Sequence, residues 1–130
     1  MAYTTTGINT SATIVGAAAA EIKNVAGKAV KFTGGKVAVA TTAGEVVMGI
    51  AVLTSADVIA AGEDVDIQIK EIGKAVAGAE IAVGAELATN ATGALVTATA
   101  GQFVVATALE AATAAGQIIN VQLTKYQKNA

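Results

Sequence analysis

Polar and apolar side chains alternate residue by residue over Val65, Asp66, Ile67, Gln68, Ile69 and Lys70. A period of two puts the apolar set on one face of an extended chain and the polar set on the other, which predicts a half-buried strand. Ile119, Asn120, Val121, Gln122, Leu123 and Thr124 carry the same pattern nearer the C-terminus and predict a second strand. Between Ala29 and Ala40, Gly34 and Gly35 separate two β-forming runs. A two-residue hairpin loop needs positive φ, which glycine adopts freely. Pairing Thr33 with Lys36 then sets Phe32 opposite Val37 and Val30 opposite Val39.

The same order of features occurs twice. Gly27 to Ala51, with a Thr42, Ala43, Gly44 turn ahead of Val46 and Val47, aligns without a gap on Gly84 to Ala108, where Thr99, Ala100 and Gly101 precede Phe103 and Val104. After a shift of three residues, Ala60, Ala61, Gly62 and the strand from Val65 match Ala114, Ala115, Gly116 and the strand from Ile119. Matches are cheap in a chain this rich in Ala, Gly, Thr and Val; the shared order of turns and strands is what argues for repetition. Two similar β units are expected, over 27–69 and 84–123. Helices are expected to be minor: Ser55 could cap a turn through Asp57 to Ala61, Glu110 to Ala115 could form another, and Ala17 to Lys23 has helix propensity. The expected fold is all-β, a small antiparallel β-barrel or sandwich. Residues 1–16, unpatterned and rich in threonine and glycine, read as an extended N-terminal arm that gains order from a partner. Residues 17–124 read as a single β domain and 125–130 as a tail.

Composition narrows the chemistry. The 130 residues are 54% hydrophobic but 3% aromatic, so the apolar bulk is alanine and valine and the core is shallow. Cysteine and histidine are absent, which removes disulfides, thiolate nucleophiles, the commonest general base and the usual zinc ligands. All eight cations are lysines, the net charge is −2, and four scattered aromatics make no stacking platform, so nucleic acid is not an expected partner. Ala2 to Ala20 and Leu87 to Leu109 lack charge, yet their many threonines exclude a membrane-spanning reading. No lysine or arginine precedes Ile14 and Val15 to make a secretory n-region, so synthesis and assembly in the cytoplasm are expected.

Glu63, Asp64 and Asp66 are the densest carboxylate cluster; they read as a solvated strand start after the Gly62 turn rather than a cation site, because no calcium-type loop follows. Lys28, Lys36 and Lys74 each follow a glycine, but without the serine or threonine and the glycine spacing of a phosphate loop they read as turn lysines. Two glycosylation triplets, Asn9-Thr10-Ser11 and Asn90-Ala91-Thr92, occur in a chain where threonine makes them common. No hydroxyl has a recognisable base arrangement, so neither catalytic residues, cofactor nor metal are expected.

Gly84 to Leu123, reading GAELATNATGALVTATAGQFVVATALEAATAAGQIINVQL, resembles the C-terminal half of the capsid cement, or head-decoration, proteins of tailed bacteriophages. The shared pattern is a Gly-Ala-x-Leu segment, a Thr-rich turn, a strand ending in Glu110 and Ala111, an Ala-Ala-Gly loop and a terminal alternating strand. Ala106 stands where a glycine would be common. VVMGIAV, Val46 to Val52, keeps Gly49 and resembles the equivalent strand of the first half. The resemblance implies a non-enzymatic virion protein on the outer surface of the capsid, commonly a homotrimer, that ties major capsid protein subunits together. The family supplies no residue-level binding motif. Partner contacts expected from this sequence are Tyr3, Thr4, Thr5, Thr6, Ile8 and Ile14 of the arm, added as a strand to an edge of the host, and Lys125 and Tyr126 of the tail. A bacterial surface-layer or fibre-type structural β protein is the alternative reading; an ice-binding solenoid lacks the strict short repeat it requires.

Overall fold

The computed structural model describes residues 11–129. Among them are twelve strands and no helix. One five-stranded antiparallel sheet has the order β1 (Thr13–Ala17), β7 (Asp64–Gln68), β5 (Gly49–Ala51), β3 (Ala29–Thr33), β4 (Lys36–Val39). The second has the order β8 (Ile72–Val76), β12 (Ile118–Gln127), β11 (Phe103–Ala108), β9 (Glu86–Thr89), β10 (Leu95–Thr97). β2 (Ile22–Lys23) pairs with β6 (Val58–Ile59).

The alternating segments form the expected strands. Val65 and Ile67 of β7 and Ile119, Val121 and Leu123 of β12 are buried, while Asp64, Asp66, Gln122 and Thr124 are exposed. The β3–β4 hairpin has the register read from the sequence, Thr33 with Lys36, Phe32 with Val37 and Val30 with Val39. Gly34 and Gly35 sit at φ 58° and 79°, the left-handed pair that joins strands without splaying them.

Both sheets are built the same way. Strands β1, β7, β5, β3 and β4 correspond in order to β8, β12, β11, β9 and β10. Gly27 N–H donates to Ala51 C=O at 2.8 Å, and Gly84 N–H to Ala108 C=O at 2.8 Å; Ala18 N–H donates to Glu63 C=O and Ala77 N–H to Gln117 C=O, again both at 2.8 Å. Each sheet curls until its edge strands touch through one parallel bridge, Ala18 to Val37 in the first and Ala77 to Leu95 in the second. Among the described residues no full ladder joins those edges, so neither sheet closes into a barrel, and the architecture is sandwich-like.

Two cores follow. The first lies inside the first sheet and includes Val25, Val30, Val37, Val65 and Ile67. The second fills the other sheet with Leu87, Leu95, Ile119 and Val121, and also takes Ala29, Ala40, Val47 and Ile50 from the opposite face of the first sheet. Backbone bonds cross the same junction, from Val76 N–H to Gly27 C=O at 2.9 Å and from Ala29 N–H to Gly93 C=O at 2.7 Å. A shared apolar layer with satisfied backbone makes the two units one body.

Several expectations are corrected. None of the three candidate helical stretches is helical. Val58 and Ile59 form β6 because Ile22 lies opposite Ile59; Ala112 bridges Ile81; and Ala17 to Lys23 is divided between the end of β1, a bridge at Ala18 and β2. Alanine's helix propensity is a few tenths of a kcal/mol per residue and yields to such pairing. Ser55 closes a turn instead of capping a helix, its hydroxyl donating to Val52 C=O at 2.6 Å. The arm expected to run to residue 16 overlaps β1, whose pairing begins at Thr13, and the tail expected from 125 overlaps β12, which runs to Gln127.

Candidate functional site

The sequence-derived contact residues fall in three places. Tyr3, Thr4, Thr5, Thr6 and Ile8 lie outside the described residues. Ile14 sits on β1 opposite Ile67 and is half-buried against the first core. It therefore holds the root of the N-terminal segment to the sheet, and its neighbour Val15, 58% exposed, is the side chain that faces outward.

Lys125 and Tyr126 are built into the second sheet. The β11–β12 register shifts between Val104 and Ala106, and Lys125 takes φ 39° at this irregularity. A bulge re-aims a side chain: Lys125 Nζ crosses to the first unit and donates to Met48 C=O at 2.9 Å, and burial lowers its pKa. Beyond it, Glu86 of β9 accepts hydrogen bonds from the Tyr126 hydroxyl and the Lys128 ammonium. These bonds, Lys128's first and Tyr126's second, hold the Glu86 carboxyl below the ordinary carboxylate value. The bond to Glu86 raises the Tyr126 phenol in turn. Gln127 Nε2 donates to Gly101 C=O at 2.6 Å and Lys128 N–H to Gln102 C=O at 2.9 Å. Tyr126 keeps 40% of its surface exposed. Sequence reasoning missed Glu86, whose only signal was its place in the Gly-Ala-x-Leu segment.

A matching clamp holds the first unit's turn. Glu45 Oε2 accepts from Thr41 N–H at 2.7 Å and Thr42 N–H at 2.9 Å, and Lys31 Nζ lies 3.0 Å from Oε1. Desolvation pushes the Glu45 carboxyl up, but the Thr42 and Thr41 amides and Lys31 together outweigh it and leave it lowered. Gln102 serves the equivalent turn, accepting from Thr99 N–H at 2.9 Å.

Two depressions mark the surface. A groove of about 360 Å³ is lined by Ala19, Ile22, Val37 and Val39, with Lys23, Lys28 and Glu21 at its rim. A second, of about 250 Å³, is lined by Thr54, Ser55, Ile59, Glu63, Asp64 and Asp66. Asp64 and Asp66 share the outer face of β7 and are exposed, as the solvated-strand reading expected, while Glu63 Oε1 accepts from Ala60 N–H at 2.6 Å. No group of three or more potential metal-ligating side chains exists among the described residues. Exposed Val15, Val46, Ile72, Val83 and Ile118, each at least half accessible, suit contact with other proteins more than chemistry on a small molecule.

Strand order, paired units and outward apolar positions define a structural β protein. The phage cement protein family model matches residues 54–123, and the chain belongs to that family. The fold is also that of the N base of head fiber gp8.5 in bacteriophage phi29, with a TM-score of 0.68 over 91% of this chain and 98% of that one, at 18% sequence identity. No curated protein sequence matches. The chain is thus a phage capsid-associated structural protein, a component of the virion's outer capsid surface.

Proposed function

We propose that this protein is a capsid cement that binds the outside of the assembled capsid and holds neighbouring major capsid protein subunits together, acting as a homotrimer and without enzymatic activity. Membership of the phage cement family carries the reading. Residues 1–16 would supply the reach: Tyr3, Thr4, Thr5, Thr6 and Ile8 add backbone hydrogen bonds and alternate side chains to a host strand edge, while Ile14 anchors the segment's root through its place opposite Ile67. On the body, the half-exposed ring of Tyr126 is the proposed tail contact, with Lys125 fixing the strand that carries it.

Lattice stabilisation needs no strong single contact. Many copies on one shell convert small affinities into high occupancy, because each seated contact raises the effective concentration of the next. Electron microscopy of capsids with and without the protein tests this directly. Added density on the outer surface, bridging adjacent capsid subunits at three-fold positions, is the expected result. Density confined to one subunit, with no change in the capsid's resistance to heat, would overturn the bridging role.

A further inference from the structure

The duplicated fold places two equivalent faces on one molecule and decorates them oppositely. On the outer face of β1–β7, cross-strand pairs are Ala17 with Asp64, Val15 with Asp66 and Thr13 with Gln68. On the outer face of β8–β12, the corresponding pairs are Val76 with Ile118, Lys74 with Asn120 and Ile72 with Gln122. An exposed valine beside an aspartate on the first face is thus an exposed lysine beside an asparagine on the second. The first face is acidic and is continuous with the 250 Å³ depression that Glu63, Asp64 and Asp66 line. The second is apolar, with Ile72 61% and Ile118 50% exposed around Lys74, its one cation. Glu110 stands at the margin of this face, its Oε1 accepting from Asn120 N–H at 2.6 Å. Asn120 Oδ1 receives Lys74 Nζ at 2.7 Å, which holds the ammonium over the sheet.

We infer that the β8–β12 face of one copy seats on the β1–β7 face of a second copy, with the Lys74 ammonium entering the acidic depression and Ile72 and Ile118 covering Val15. Opposite charge selects the partner and register, and the aliphatic side chains supply the buried area. A face set against a different face is a heterologous contact, which generates a ring or an open chain and not a two-fold dimer. The two faces adjoin, since Gln68 Nε2 donates to Ile72 C=O at 2.7 Å. Each added copy is therefore turned relative to the last, which favours a closed ring. The inference rests on the proposed self-association and assigns its surface.

A reciprocal charge swap tests it, read by sedimentation velocity over a concentration series, with circular dichroism confirming that each exposed-site variant is folded. Lys74→Asp and Asp66→Lys should each weaken self-association by about tenfold or more, since like charges then meet across the contact. The double variant should recover most of the loss. A wild type that stays monomeric at all concentrations overturns self-association and the face together. A wild type that associates while both single variants match it overturns the face alone. Single variants that keep the wild-type assembly but lose capsid binding would give these faces to the capsid protein and overturn the inference.

Discussion

Replacing Gly49 by alanine isolates one reason for a glycine in a strand. Gly49 opens β5 and is buried where β5 lies between β3 and β7. A Cβ built on it would stand 2.1 Å from the Gln68 carbonyl oxygen and 3.0 Å from Ile67 Cγ2. Even the tight Cα–H···O contacts of sheets keep carbon and oxygen roughly 3.3–3.6 Å apart, so the strands must part by about 1 Å or more. That separation would strain the pairing of Ile50 with Gln68 and of Ala51 with Ile67 and would disturb Ile50, which the first sheet contributes to the second core. Overpacking of this kind costs about 1–3 kcal/mol, and the backbone obstacle puts Gly49→Ala at the upper end. In a domain of this size each kcal/mol lowers Tm by about 3–5 °C, so a drop near 10 °C is expected by calorimetry. Gly62→Ala is the control: its φ is 87° but nothing lies within 4 Å of its Cβ, so only the left-handed conformation is penalised, by about 1 kcal/mol. If Gly49→Ala melts with wild type, or no lower than Gly62→Ala, the close-approach argument fails.

Ile50→Ala, at a fully buried site shared by both units, should cost about 2–4 kcal/mol in urea unfolding and keep a single transition. Removing residues 2–10 should lower capsid occupancy, and removing 2–16 also takes most of β1 and should destabilise the fold, as capsid pull-downs and a melt of the longer deletion would reveal. The depressed Glu86 carboxyl contributes stability that is present above the ordinary carboxylate pKa of 4.5 and is lost as pH falls through the lower folded value. The protection of the Lys128 amide, measured as its exchange rate relative to the intrinsic rate at each pH, should therefore fall on acidification below about pH 4.5 in wild type, and Glu86→Gln should abolish that dependence.

Legibility in the sequence tracked how local each cause was. The strands at Val65 and Ile119 and the Gly34–Gly35 hairpin announce themselves because alternation and loop chemistry are local facts. β2 and β6 do not, since nothing near Ile22 reveals that it will pair with Ile59. β8 was hidden by its glycine: Gly73 sits where a Cβ would meet the Gln68 side-chain amide, at 2.3 Å from Oε1. The contact residues divide in the same way. Ile14 looked like part of an arm and Lys125 like a frayed end because their partners, Ile67 and Met48, are far away in sequence. The phage capsid-associated structural role was legible through the resemblance carried by turns and strands, not through reactive groups.

The junction between the units is also where the two units differ in chemistry. Ala29 and Ile50 pair across β3 and β5 and present carbon to the second unit; at the corresponding places on β9 and β11 the second unit pairs Glu86 with Thr107. Were those two aliphatic, the second unit would offer a similar body the same apolar landing that the first offers to the second. A carboxylate engaged by Tyr126 and Lys128 closes that landing. Two positions thus decide which of the two equivalent faces becomes a buried seam: the first unit presents carbon there and the second a paired carboxylate.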